Sequence, residues 1–128
     1  MGVLANDTRC PCGTGLTYGE CCGRFHAGQP APSAEALMRS RFTAFVTGDA
    51  DYLRSTWHPS RRPERLDLDS DLVWQRLEVL GTTGTPFDAT ATVEFIAHFR
   101  DADERGTLHE NSEFVREQGR WFYVRALS

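Results

Sequence analysis

The sequence predicts an α+β fold: a cysteine-rich N-terminal loop, then helices packed on one face of an antiparallel sheet. Three observations predict it. All four cysteines fall within residues 10–22. The apolar residues from Ala34 to Val46 recur with a helical period. From Val73 onward, apolar residues alternate with polar ones in short runs separated by turn residues. Helices first and consecutive strands afterwards are the order of an α+β domain, not of alternating α/β units. With 128 residues, 40% of them hydrophobic, the chain is sized for one domain with its own core.

The first element is the stretch CPCGTGLTYGECCG, with Cys10, Cys12, Cys21 and Cys22 in the spacing C-x-C-x8-C-C. In a reducing cytosol, thiols gathered this closely indicate a metal site. Four thiolates around Zn2+ make a closed tetrahedral shell, which is structural and not catalytic. Pro11 stiffens the first turn, and Gly13, Gly15, Gly19 and Gly23 let backbone approach the sulfurs. The alternatives are a pair of disulfides in a secreted protein, or an iron–sulfur cluster, whose usual spacings are wider than C-x-C. His26 lies close enough in sequence to replace a cysteine, although four thiols already fill the shell. The start MGVLANDTR has neither a basic segment nor an apolar stretch, so it does not read as an export signal, and a cytoplasmic location is expected. No apolar run approaches the ~20 residues of a membrane span.

Residues 24–32, RFHAGQPAP, read as a Gly/Pro linker, giving a division into a metal element at 1–28 and a second domain at 29–128. Ser33 caps a helix with Glu35 in its first turn, and Gly48-Asp49 stops it near Thr47. Arg41 falls inside the apolar stripe made by Leu37, Met38, Phe42 and Phe45. A charge there either reaches out at the edge or meets a carboxylate or ligand inside. A short second helix spans Asp49 to about Thr56 and ends before Trp57-His58-Pro59. Residues 60–71 are polar and read as a loop.

Four strands follow. Val73–Leu80 is the first, and Gly81–Pro86 has turn chemistry. Thr90–Phe99 alternates cleanly, with Ala91, Val93, Phe95, Ala97 and Phe99 on one face. Asp101–Gly106 reads as a turn. Leu108–Arg116 places Leu108, Glu110, Ser112 and Phe114 on one face. Glu117-Gln118-Gly119-Arg120 is a hairpin turn, and Trp121–Leu127 closes the sheet.

The stretch CPCGTGLTYGECCG resembles the SEC-C motif, a short zinc element. The resemblance implies that Cys10, Cys12, Cys21 and Cys22 all bind structural Zn2+ and that the loop is a docking element for proteins or ribosomes. The helix-then-strand order resembles the nuclear-transport-factor-2-like cone, a curved sheet wrapped over N-terminal helices. The two together, with the blocks MRSRFTAF, DADYLRSTWHP and LHENSEFVREQGRWFYV, resemble the YchJ-type bacterial proteins across nearly the whole chain. That resemblance implies the fold and the metal element and transfers no activity. The chain departs from the family pattern at Asn111 and Glu113, where many members carry basic residues.

For function, Glu110 and Arg41 are expected to face one another across the cone and to pair or share a ligand. Tyr52, Trp57 and Ser112, with Trp121, would line the same pocket. An enzyme would need an acid or base there, and the candidates are Glu110 and His58, with Glu94 and His98 behind them. Glu94 and His98 share a strand face but stand more than about 12 Å apart, so each would look to a neighbouring strand. No nucleophile triad, nucleotide loop or H-E-x-x-H occurs. The favoured reading is therefore a protein-interaction or adaptor module with a small-ligand pocket in the cone. One alternative is an enzyme using that pocket. The other is a ribosome- or RNA-associated factor using Arg9, Arg24 and the Arg61-Arg62-Arg65 cluster. The net charge of −4 argues against bulk binding to nucleic acid or anionic lipid. The protein partner is not specified by the sequence. A homodimer is expected if the outer sheet face is apolar.

Overall fold

The structure is a computed structural model, and it describes residues 4–85 and 87–128. Its elements run α1 (Cys22–His26), α2 (Ala34–Thr47), α3 (Ala50–Ser55), then β1 (Leu72–Thr83), β2 (Thr90–Asp101), β3 (Glu104–Glu117) and β4 (Arg120–Ala126). The strands form one antiparallel sheet in the order β1-β2-β3-β4. The α+β architecture is the expected one.

Helix α2 begins and ends as its sequence dictates. The Ser33 hydroxyl accepts from the Ala36 N–H, and Gly48 closes the helix in the left-handed conformation with φ 75°. Asp49 caps α3 in the same way, accepting from Tyr52 N–H. The apolar stripe of α2 lies on the sheet, where Leu37, Met38 and Phe42 pack with Val93, Phe95 and Ala97 of β2 and Phe114 of β3. Burying one such side chain contributes about 1.5–3 kcal/mol, so this layer is the main support of the fold.

Three boundaries differ from expectation. Residues 24–32 are not all linker: Cys22–His26 is helical, and Phe25 enters the main core. Gly81–Thr83 is strand, because a bulge between Val79 and Gly81 restores pairing with Glu94, Val93 and Thr92. Pro86 of that expected turn lies outside the described residues. Asp101–Gly106 is mostly strand: only Ala102 and Asp103 form the turn, and Ala102 takes φ 55°. The last hairpin turns on Gln118-Gly119, both at positive φ, as its sequence predicts.

Register puts Leu108, Glu110, Ser112 and Phe114 opposite Ala97, Phe95, Val93 and Ala91, on the face covered by α2. The other face is charged. His98 lies 2.6 Å from Glu78, with Arg76 beside both; His109 lies 2.7 Å from Glu94; Arg125 pairs with Glu113. The outer face of β2–β4 therefore carries these ion pairs, while Val73 and Leu80 of β1 are exposed.

Candidate metal centre and cone cavity

The N-terminal loop folds around sulfur. Cys10 N–H donates to the Leu16 carbonyl and Tyr18 N–H to that of Thr8, closing the loop, while Arg9 and Thr17 form an isolated antiparallel bridge. Gly13 and Gly15 take φ 90° and 89°, a conformation that L side chains resist. Cys21 sits just before α1 and Cys22 begins it, so the second pair of thiols is carried on a helix start.

All four sulfurs lie within 4.8 Å of one another, none is disulfide-bonded, and every cysteine is at most 5% exposed. Cys12 and Cys21 sulfurs stand 3.5 Å apart and those of Cys21 and Cys22 4.0 Å. Tetrahedral Zn–S bonds of ~2.3 Å place sulfurs about 3.8 Å apart, so the four residues fit such an ion. Taken as thiols they cannot all ionise together. Hydrogen bonds from Cys12 and Cys22 hold Cys10 low, and bonding to Cys10 pushes Cys22 up and Cys12 to about 11. A divalent cation replaces those shared protons.

The body of the protein contributes to this centre. Thr43 of α2 places its hydroxyl 3.4 Å from Cys22 sulfur and 3.8 Å from that of Cys10. Thr14 lies 3.2 Å from Cys21 sulfur. Arg39 of α2 donates to the Cys12 carbonyl at 2.7 Å while pairing with Glu35, and Arg24 donates to the Cys21 carbonyl. His26 is not aimed at sulfur. Its ring joins Tyr18 (2.7 Å) to the Ser40 carbonyl (2.9 Å) and packs on Tyr52. Composition alone could not reveal the ties from Thr43, Arg39 and Ser40, since they connect residues more than ten positions apart.

The second candidate site is a cavity of about 130 Å³ between α2 and the sheet. Phe42, Phe45, Trp74 and Phe95 make its apolar wall, and Arg41, Trp57, Glu110, Ser112 and Tyr123 its polar end. Arg41 is 4% exposed and donates to the Leu53 carbonyl and the Thr56 hydroxyl, at 2.8 and 2.7 Å. Its guanidinium also lies over the rings of Tyr123 (4.5 Å) and Trp57 (5.5 Å). Burial draws its pKa down to about 10, with Tyr123, Tyr52 and Glu110 opposing; it remains a cation at neutral pH. Glu110 accepts from Ser112 at 2.5 Å. Burial first, then the Glu110 charge, raises Tyr123 to about 12.

Arg41 and Glu110 thus share the cavity as expected but make no ion pair with each other: backbone, hydroxyl and aromatic faces take the place of the carboxylate. Tyr52 lies outside, bonded to Ser40 at 2.7 Å, and Trp121 is core. His58 is also outside, between Ser60 and Glu117, so the two acid–base candidates do not meet. Glu94 and His98 reach neighbouring strands on the outer face. Of the arginine cluster, Arg62 donates to the Trp57 carbonyl and Arg65 pairs with Asp67. The sequence does not single out Tyr123, which sits in a run of aromatics whose facing depends on the bulge between Glu113 and Phe114.

A family model described as the YchJ middle NTF2-like domain matches residues 33–126, and one for the SEC-C motif matches residues 8–24. The chain belongs to the YchJ-type, UPF0225 family. A UPF0225 protein of Corynebacterium efficiens is 57% identical over 119 residues, covering 91% of each chain. One from Streptomyces coelicolor is 55% identical, covering 90% of this chain and 91% of its own. The solution structure of a SEC-C motif containing protein from Rhodopseudomonas palustris superposes with a TM-score of 0.84 at 36% identity, over 94% of this chain and 98% of that one. A SEC-C motif containing protein from Psychrobacter arcticus gives 0.81 at 30% identity, over 96% and 84%. In this UPF0225 chain the four buried cysteines of the motif form a cluster able to hold a metal ion. No helix among the described residues is long and apolar enough to cross a membrane.

Proposed function

We propose that the protein is a cytoplasmic interaction module in which one structural Zn2+ shapes a docking loop for a partner protein. The carrying observation is the enclosure of all four sulfurs, each cysteine at most 5% exposed. Such a shell leaves no open coordination position for a substrate. What the loop does present is the turn between the two thiol pairs, with Leu16 47% exposed at its tip. An exposed leucine on a rigid, metal-set turn is suited to insert into a partner's pocket, as interface anchors do.

The test must spare the ligands, because Thr43 and Phe25 tie them to the core. A photo-crosslinking residue placed at Leu16 in the zinc-loaded chain is expected to give a discrete protein adduct in cells. The adduct should vanish when zinc is chelated, and Leu16→Asp should compete poorly against unlabelled wild type. An adduct of the same yield after metal removal would reject the docking role of the loop.

A further inference from the structure

The cone cavity has a chemical character of its own, separate from the metal loop. Met38, Phe42 and Phe45 of α2 line it from one side and Trp74, Phe95 and Ala97 of the sheet from the other. Its polar end carries one buried cation, Arg41, and one anion, Glu110. Its volume of about 130 Å³ is close to the ~150 Å³ of an apolar cavity that holds benzene. It therefore takes a molecule of about that size.

Arg41 is anchored through one side of its guanidinium. Both N–H groups of Nη1 are used, on the Leu53 carbonyl and the Thr56 hydroxyl. A guanidinium has five N–H donors, so Nε and Nη2 keep the other three, and these meet no acceptor among the described residues. Neither nitrogen is sealed off. Among the described residues, the fully enclosed side-chain nitrogen without a partner is the Trp57 indole nitrogen alone. Arg41 is otherwise buried, and the open space it lines is this cavity. Nε–H and the adjacent N–H of Nη2 point the same way, which is the fork that a carboxylate accepts with both oxygens.

Glu110 is the complement. It accepts from Ser112 and Tyr123, and a carboxylate has about four acceptor sites, so some stay free. Its charge acts on the Arg41 guanidinium, yet no ion pair joins the two, and each is held by neutral groups. A ligand bearing a net charge would leave one of these charges uncompensated. A ligand carrying both signs would not.

We propose that this cavity binds a small aliphatic α-amino acid as its zwitterion, about the size of valine. The carboxylate accepts from Nε and Nη2 of Arg41, and the ammonium donates to Glu110. The branched side chain lies against Phe42, Phe95 and Trp74. The ligand's two charges thus meet the two that the protein leaves unjoined, and the apolar wall selects against a polar side chain. This goes beyond the docking reading and does not depend on it.

L-Valine is the probe, titrated into the zinc-loaded full chain and followed by amide and arginine N–H resonances. Saturable one-to-one binding is expected with Kd below about 1 mM, and the Arg41 Nε–H resonance should move. Isovalerate lacks the ammonium and isobutylamine the carboxylate, and each should bind at least about tenfold more weakly. L-Threonine has the shape of valine with one hydroxyl and should also lose about tenfold. Glu110→Gln keeps an acceptor for Ser112 and Tyr123 and removes the charge. It should weaken valine about tenfold and tighten isovalerate, a reversal that a purely structural role would not produce. Ala97→Leu, placed on the cavity wall, should abolish binding with the backbone spectrum preserved. Leu16→Asp should leave valine affinity unchanged, so failure of the docking loop and failure of the cavity are read separately. The proposal is overturned if valine does not saturate, if isovalerate binds wild type as tightly as valine, or if Glu110→Gln leaves the preference for valine over isovalerate unchanged.

Discussion

Phe25→Ala should destabilise the sheet, not merely the metal loop. Phe25 belongs to the sequence of the metal element, yet it is 5% exposed and packs in the same core as Leu37, Phe42 and Trp121. Removing a buried phenylalanine ring costs about 3–5 kcal/mol. Against a total stability of about 5–15 kcal/mol, that is a large fraction. For a chain of this length it should lower Tm by about 10–20 °C. The assay is thermal unfolding in saturating zinc, with far-ultraviolet circular dichroism reporting the sheet and thiol reactivity reporting the metal loop. Both probes should shift together. A sheet that melts at the wild-type temperature while thiol protection alone is lost would refute the reasoning, and the metal element would be an independent appendage.

Two further outcomes follow from single residues. Tyr123 has its folded pKa raised from 10.0 to about 12, so between those values the folded state holds a proton that the unfolded chain has released. Its contribution is complete below pH 10 and is lost as pH rises to about 12. Tyr123→Phe should therefore flatten the fall in urea midpoint across that window, and an unchanged slope would contradict the burial of this phenol beside Glu110. Gly13 has φ 90° with room for a methyl group, so Gly13→Ala introduces backbone strain of about 1–2 kcal/mol and no clash. Zinc affinity measured by chelator competition should drop about tenfold, and equal affinity would show that the loop does not need that conformation.

What could be read from the chain was whatever depends on neighbours in sequence. Ser33 as a cap, Gly48 as a stop, the alternation from Ala91 to Phe99 and the tight turn at Gln118-Gly119 are local, and all appear where their residue types place them. The gathering of Cys10, Cys12, Cys21 and Cys22 was equally legible, because four thiols in thirteen positions have few other arrangements. The misreadings involve distant partners. Gly81 looked like a turn, and only pairing across a bulge with Glu94 keeps it in the strand. For Arg41 the sequence leaves the edge, a carboxylate or a ligand open; α3 ends beside it and offers the Leu53 carbonyl and Thr56 hydroxyl. Tyr52 looked like a pocket wall, but the helical turn after Asp49 directs its hydroxyl to Ser40. Residues 24–32 read as a linker because of Gly28, Pro30 and Pro32, yet Phe25 gains more from the core than the segment loses in freedom.

The most direct measurement is metal content and coordination together: native mass spectrometry of reduced protein at neutral pH, with X-ray absorption at the zinc edge. One zinc per chain is expected, ringed by four sulfurs at about 2.3 Å with no lighter ligand. Protein that carries no stoichiometric metal, or a zinc whose shell includes an oxygen or nitrogen, would contradict the closed site on which the docking role rests.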